Sequence, residues 1–116
     1  MTVTAAAPGS PSGARSGADV IGGKWKVLIL WALSVEPRRF GELKRAVEGI
    51  SEKVLIQQVR ELERDGIVHR EVHEQVPPKV VYSLTPLGIA LDEALEPLGR
   101  WGDVHMAHIA ATRSAT

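Results

Sequence analysis

The short link 48–50 between two amphipathic segments, residues 40–47 and 51–65, is the feature that most constrains this fold. Apolar side chains recur at helical spacing along each segment, which predicts two helices with one buried face each. They are Phe40, Leu43 and Val47 in the first segment and Leu55, Val59 and Leu62 in the second. The link contains Gly49, a residue type that commonly ends a helix in left-handed backbone, and Ser51 after it is a favourable N-cap. A link this short is what a helix-turn-helix requires.

The polar face of the segment 52–65 carries three cations and one amide. At about 100° per residue these side chains lie opposite the apolar face. They are Lys53, Gln57, Arg60 and Arg64. In a helix-turn-helix the second helix lies in the DNA major groove, where Gln can pair with adenine and Lys with guanine, while cations further along the helix reach phosphates. A polar helix face is also typical of simple solvation, so the residues alone leave both interpretations open.

Two β-like runs, residues 67–72 and 80–85, follow the second helix. The segment 73–79 between them contains two prolines, which are tolerated in a hairpin tip and not within a central strand. The pattern therefore predicts a two-stranded hairpin, a wing, with Lys79 at its tip near the neighbouring minor groove or backbone. Arg70 alternates with apolar residues along the first run, so a structural role and a DNA role are equally open for it.

Further helices are predicted on both sides of this unit. Apolar spacing favours one helix over 21–33, and Thr85-Pro86 supplies the N-cap and first residue of another. Pro97 predicts a kink or break in that last helix, and its end is expected to fray from about residue 111. Residues 1–18, rich in Ala, Gly and Ser, predict a disordered tail. The remainder, 19–112, is expected to be one domain, mainly α with a small β-hairpin (α+β): a winged helix-turn-helix.

Composition narrows the classes of function. The sequence has no cysteine, which excludes disulfides, thiol catalysis and thiol redox sensing. The formal net charge is zero, but residues 24–85 carry 11 Lys and Arg against 9 Asp and Glu. We find no catalytic signature and expect no enzyme activity, cofactor or metal site, although His69 and His73, and likewise His105 and His108, have spacings that metal ligands use. No apolar run is long enough to span a membrane, and a cytoplasmic protein is expected.

Several short motifs together resemble the HxlR-type winged helix-turn-helix regulators, which are relatives of the MarR group. The match runs in order from about residue 19 to residue 102. Its pieces are Ile21-Gly22-Gly23-Lys24-Trp25, Leu28-Ile29-Leu30-Trp31, Arg39-Phe40-Gly41-Glu42-Leu43, Gly49-Ile50-Ser51, Gln57-Gln58, Arg60-Glu61-Leu62, Asp65-Gly66, Val76-Pro77-Pro78 and Tyr82-Ser83-Leu84-Thr85-Pro86-Leu87-Gly88.

The resemblance implies a homodimer whose first and last helices form the interface and whose two wings grip a pseudo-palindromic operator in double-stranded DNA. It also implies repression or activation of neighbouring genes. On this pattern Ser51, Lys53, Gln57 and Arg60 contact DNA from the recognition helix, 51–65, and Arg39 contacts a phosphate. Arg38 and Arg39 also precede the helix 40–47, whose N-terminal amides suit a phosphate.

Two departures from the family pattern matter. Members commonly carry a cysteine just ahead of the Gly-Gly-Lys-Trp segment, and this sequence has none. Ile56 stands where the family often has a polar residue, and it could contact a thymine methyl or simply pack.

Other interpretations remain at this point. The near-neutral charge also suits a winged-helix module that binds proteins and no longer binds DNA. Four apolar residues are expected either at the dimer interface or around a pocket for an unidentified small-molecule effector, which aromatic lining would suit. These are Trp25, Trp31, Leu98 and Trp101.

Overall fold

A computed structural model describes residues 11–115, and within that range the chain forms five helices and one small antiparallel sheet. The elements in chain order are α1 (Pro11–Ile21), α2 (Lys24–Val35), β1 (Arg38–Arg39), α3 (Phe40–Ala46), α4 (Glu52–Arg64), β2 (Val68–His73), β3 (Lys79–Leu84) and α5 (Pro86–Ser114). The predicted α+β class and the order of helix, helix, helix, wing and helix are confirmed from α2 onward.

The core lies where α2, α3 and α4 meet the base of the sheet. Its buried apolar residues are Ile29, Leu30, Ala32, Leu33, Leu43, Val47, Ile50, Leu55, Val59, Leu62, Ile67 and Val68. The predicted inward faces of α3 and α4 are therefore confirmed, with Phe40 partly buried against the core. Leu28, one of the apolar residues whose spacing predicts the helix over 21–33, is exposed.

The predicted helix ends around the link, at Gly49 and Ser51, are confirmed, whereas the helix predicted over 21–33 is observed over Lys24–Val35. The Ser51 hydroxyl oxygen accepts a hydrogen bond from the Val54 backbone N–H at 3.2 Å, which caps α4. Gly49 and Gly66 have φ of 87° and 75°, the left-handed backbone that glycine adopts without steric cost. These two turns set the directions in which the chain enters and leaves α4.

The wing has one strand more than the sequence analysis predicts. The strand order is β1-β3-β2, and Arg38 and Arg39 of β1 pair with Tyr82 and Val81 of β3. In β2 and β3, Val68 pairs with Leu84 and His73 with Lys79. A two-residue strand shows no alternation of apolar and polar residues, so the periodicity that finds longer strands cannot detect it.

The helices at the two ends of the chain differ from the sequence prediction. Residues 11–18, predicted as part of a disordered tail, lie in α1; residues 1–10 of that prediction lie outside the described residues. Composition indicated disorder, but Val20 packs against the core and the Gly22 N–H donates to the Ala18 carbonyl at 2.9 Å, which anchors the helix end. The helix α5 is not broken at Pro97 and extends to Ser114, since one proline removes only one hydrogen bond from a 29-residue helix.

The junction between α4, β2 and α5 is built on Thr85 and Gly88. The Thr85 hydroxyl donates to the Gly66 carbonyl at 2.6 Å, and its oxygen accepts from the Gly88 N–H at 3.0 Å. A Cβ placed on Gly88 would collide with the carbonyl oxygen of Ile67. The absence of a side chain at Gly88 therefore lets α5 approach the turn after α4.

Replacement of Gly88 by Ala is expected to destabilise the protein by about 1–3 kcal/mol, because backbone atoms must shift to admit the methyl group. Gly99→Ala is the matched control, since it lies in the same helix and a Cβ there meets nothing within 4 Å. The control should be neutral or stabilising by up to about 1 kcal/mol, the helix-propensity difference. Urea unfolding at one fixed protein concentration measures both, and equal effects of the two substitutions would contradict the close approach at Gly88.

Candidate nucleic-acid interface

The outward side of α4 collects three of the residues predicted to contact DNA. Lys53, Gln57 and Arg60 are exposed and, with Ile56, line one shallow concave surface of about 700 Å³, hereafter the outer face of α4. Their positions follow from the burial of Leu55, Val59 and Leu62 on the opposite side. Glu52 and Glu61 lie at the edges of the same surface, so its charge is mixed.

A second concavity joins the outer face of α4 to the wing. It has a volume of about 530 Å³ and is bordered by Arg60 and Ile56 on α4 and by Arg70 and Tyr82 on the sheet. Arg70 therefore lies on the side of the sheet that meets α4 near Arg60. Side chains two residues apart in a strand share a face, so the sequence placed Arg70 on the same face as Val68 and Val72 but could not show which element lies opposite that face.

Arg38 and Arg39, adjacent in sequence, differ in environment. The Arg38 Nε donates to the Ala32 carbonyl at 2.8 Å, and its Nη1 lies 3.5 Å from a carboxylate oxygen of Glu36. Its side chain is 16 % exposed, so this guanidinium ties β1 to the end of α2. Arg39 is exposed and shares a surface with Arg45, while its backbone N–H donates to the Glu42 carboxylate at 3.0 Å at the start of α3.

The remaining predicted DNA contacts lie at the ends of α4 and on the wing. The Ser51 hydroxyl is engaged as the cap of α4, and Arg64 lies near the far end of that helix, with its Nε 3.4 Å from the Asp65 carboxylate. Lys79 is half-buried as the first residue of β3, paired with His73, so it lies at the base of the tip rather than at its end. The tip itself is formed by the exposed residues 74–78.

The four predicted interface or pocket residues do not form one cluster. Trp31 and Leu98 line a groove of about 680 Å³ between α2 and α5, together with Leu28 and Leu95; we call it the α2–α5 groove. Trp25 packs near Gly49 at the helix-turn-helix link. Trp101 is half-exposed further along α5, with its ring 5.1 Å from that of His105.

The α2–α5 groove has an acidic side. Asp92 lines it, and burial together with the carboxylates of Glu96 and Glu93 raises the pKa of Asp92 above its ordinary value. The same carboxylate of Glu96 lies 3.4 Å from Arg100 Nη1. The groove therefore combines an apolar floor with carboxylates at its rim.

One charged side chain at the edge of the interface escaped the sequence analysis. Lys26 is 5 % exposed, and its Nζ lies 3.6 Å from a carboxylate oxygen of Glu61 on α4. The sequence pattern could have revealed it, because Lys26 shares a helical face with Ile29, Leu30 and Leu33 in the most apolar helix of the core. A cation within an apolar stripe indicates a buried partner.

Within residues 11–115, no three or more His, Asp and Glu side chains are grouped so that they could hold a metal ion. No helix in that same part of the chain combines the length and apolarity needed to cross a membrane.

The sequence of the chain is similar to those of known helix-turn-helix proteins. Residues 20–110 match the HxlR-like helix-turn-helix family. The uncharacterised HTH-type transcriptional regulator YkvN of Bacillus subtilis is 52 % identical over 84 residues, which are 72 % of this chain and 71 % of YkvN.

Solved structures agree with that match. The redox regulator HypR in its reduced form aligns with a TM-score of 0.80 and 41 % identity over 85 % of this chain and 98 % of its own. The reduced transcriptional regulator YodB of B. subtilis aligns with a TM-score of 0.71 and 34 % identity over 83 % of this chain and 93 % of its own.

Proposed function

The chain belongs to the HxlR-like helix-turn-helix family of DNA-binding transcription regulators, and we propose that it reads its operator as a homodimer. In this proposal α4 lies in the major groove and the wing lies on the adjacent backbone or minor groove. The observation that carries it is the exposure of Lys53, Gln57 and Arg60 together on the outer face of α4. Because its target is chromosomal DNA, we place its action in the cytoplasm.

The proposed contacts divide into two kinds. Lys53 and Gln57, near the N-terminus of α4, are suited to base edges, and Ile56 between them is suited to a thymine methyl. Arg60, Arg39, Arg64, Lys79 and Arg70 are suited to phosphates, and Ser51 serves the surface by capping α4. Arg38 contributes by fixing β1, since its guanidinium is occupied within the chain.

Substitution of a base-reading residue and of a phosphate-reading residue should have different effects. Gln57→Ala is expected to weaken binding to the selected operator by about 5- to 150-fold for each half-site and to relax selection at one position of each half-site. Arg39→Ala should weaken binding to all duplexes alike and lower the slope of log K against log salt by about 2 for a dimer, one released counterion per protomer. The operator is first selected by the wild-type protein from a random-sequence duplex library, and binding is then titrated at several salt concentrations.

Lys24→Ala is the control for this comparison, because Lys24 is exposed on α2 with its ammonium 4.5 Å from the Trp25 ring, and it lines neither of the two concave surfaces at α4. Retention of full operator affinity by Lys53→Ala/Gln57→Ala/Arg60→Ala would overturn the assignment of the outer face of α4. That result would instead favour a winged-helix module that binds proteins.

Unpartnered apolar side chains support the homodimer. Along the middle of α5, Leu98, Trp101 and Val104 are 59 %, 50 % and 71 % exposed, and most of α1 is exposed as well. Exposed apolar side chains grouped along one helix are typical of an interface. A second copy related by two-fold symmetry would cover them and present two copies of α4 to successive turns of the major groove.

The dimer interface can be tested with one charged substitution on α5. Val104→Glu should raise the dimer dissociation constant at least about tenfold, because an unpaired carboxylate would be buried there. Val76→Glu is the matched control, since Val76 is fully exposed at the wing tip. Sedimentation equilibrium measures both variants. A wild-type protein that is monomeric at every concentration, or a Val104→Glu variant that dimerises normally, would contradict the interface.

We also propose that the α2–α5 groove accepts a small effector. Its volume lies in the range of small-molecule pockets, and Trp31, Leu28 and Leu95 offer an apolar surface for a flat ring. Because the sequence has no cysteine, a ligand of this kind would have to act without thiol chemistry.

An uncharged aromatic probe, 2-naphthol, is expected to raise the melting temperature of the wild-type protein, since binding to the folded state stabilises it. Trp31→Ala should abolish the shift, whereas Val76→Ala at the wing tip should retain it. Absence of a shift in the wild type across a panel of such aromatics, or an undiminished shift in Trp31→Ala, would remove the groove as the effector site.

A further inference from the structure

The ammonium of Lys26 is buried between three helices. Among residues 12–115, Lys26 is the one charged residue whose surface is buried in the folded chain. Burial of a charge is costly unless another charge or hydrogen-bonding group compensates it. The identity of its neighbours therefore shows what the cation does in this fold.

The first neighbour of Lys26 is Glu61 on α4. The two charged groups approach to 3.6 Å, and the Gln58 amide nitrogen lies 3.5 Å from the same carboxylate oxygen. The other amide atom of Gln58, Oε1, is buried and accepts no hydrogen bond within the described part of the chain. The Lys26 side chain is 6 % exposed and the Glu61 side chain 31 %, so the ion pair between α2 and α4 is buried on the lysine side and partly open to solvent on the glutamate side.

Glu61 also borders the outer face of α4. It follows Arg60 directly, lies one turn beyond Gln57, and lines the same concavity as both. A free carboxylate there would repel DNA phosphates and compete for Arg60. Its pairing with Lys26 draws the charge toward α2 and away from the surface that meets DNA.

The other neighbour of the Lys26 ammonium is the end of α1. A Cβ on Gly22 would lie 3.3 Å from Lys26 Nζ and 3.8 Å from the Asp19 carbonyl oxygen, and Gly22 has a φ of 54°. The C-terminal end of a helix carries partial negative charge, which favours a cation beside it. Lys26 therefore contacts the end of α1 on one side and α4 on the other.

We propose that Lys26 is a positioning residue for DNA reading: it holds Glu61 so that α4 keeps one setting against α2 and the carboxylate does not face the duplex. The inference rests on the proposed placement of α4 in the major groove. Lys26, a buried residue with no access to DNA, would then contribute to the discrimination between DNA sequences. It also links α1, an element of the proposed dimer interface, to the helix that reads DNA.

The experiment compares two duplexes for each variant, the one selected by the wild-type protein and one with scrambled half-sites. Lys26→Met should lower the ratio of selected to scrambled affinity about 3- to 30-fold, the range for substitutions that modulate coupling without touching a ligand. The slope of log K against log salt should fall by at most about 2 for a dimer, since a freed Glu61 carboxylate competes only for the phosphate contact of Arg60 in each protomer. Lys24→Met, two residues earlier on the exposed side of α2, should leave the ratio unchanged.

Glu61→Gln provides the second variant and does not depend on the folding of Lys26→Met. It should lower the same ratio while raising affinity for the scrambled duplex, because the substitution removes a carboxylate that repels DNA phosphates. In the Lys26→Met background, Glu61→Gln should lower the ratio much less than it does alone, because the pair is already broken. Equal effects of Glu61→Gln in both backgrounds, or an unchanged ratio in both single variants, would overturn the proposal.

Amide hydrogen exchange separates this inference from the proposed function. Exchange in α4 should be faster in Lys26→Met than in the wild type, while exchange in β2 and β3 should be unaltered. If the wild-type protein selects no duplex, the DNA-reading proposal fails by itself, and faster exchange in α4 would still show that Lys26 positions that helix. Unaltered exchange in α4 would refute the positioning role.

Discussion

Burial of one face of α4 is the constraint on which the rest of the structure depends. Leu55 and Leu62 are fully buried and Val59 nearly so, and each such side chain contributes about 1.5–3 kcal/mol when removed from water. Rotation of α4 by half a turn would expose all three and bury Lys53, Gln57 and Arg60. No plausible gain from surface contacts offsets that loss, so the core dictates which side chains the helix presents.

Contacts at the turn after α4 also fix the position of the wing relative to that helix. Gly66 turns the chain after α4, and the Thr85 hydroxyl, donating to the Gly66 carbonyl, brings the end of β3 back to that turn. Gly88 admits α5 beside it. Because β3 pairs with both β1 and β2, the sheet is held at the start of α3 as well as at the end of α4. The concavity between Arg60 and Arg70 follows from these two attachments.

The sequence was sufficient for features that arise from local periodicity and from turn chemistry. The apolar spacing of α3 and α4, the cap at Ser51 and the prolines of the wing tip each act within a few residues, so they can be detected without a structure. Features created by long-range contacts could not be detected in this way. The strand β1 exists because β3 lies beside it, and α1 is anchored by the packing of Val20 in a segment whose composition indicates disorder. Arg38 appeared equivalent to Arg39, and only the proximity of the Ala32 carbonyl distinguishes them.

The charges around α4 explain how a chain of zero net charge can serve a family of DNA-binding proteins. The outer face of α4 holds two cations and an amide, and the carboxylates of Glu52 and Glu61 on the same surface offset the two positive charges. In the proposed complex, base contacts from this face then supply a larger share of the binding free energy than phosphate attraction does, which favours discrimination over affinity. The benefit depends on where the carboxylates point. Glu61 is turned toward Lys26 in the contact with α2, so a cation that never meets DNA influences the field that DNA encounters.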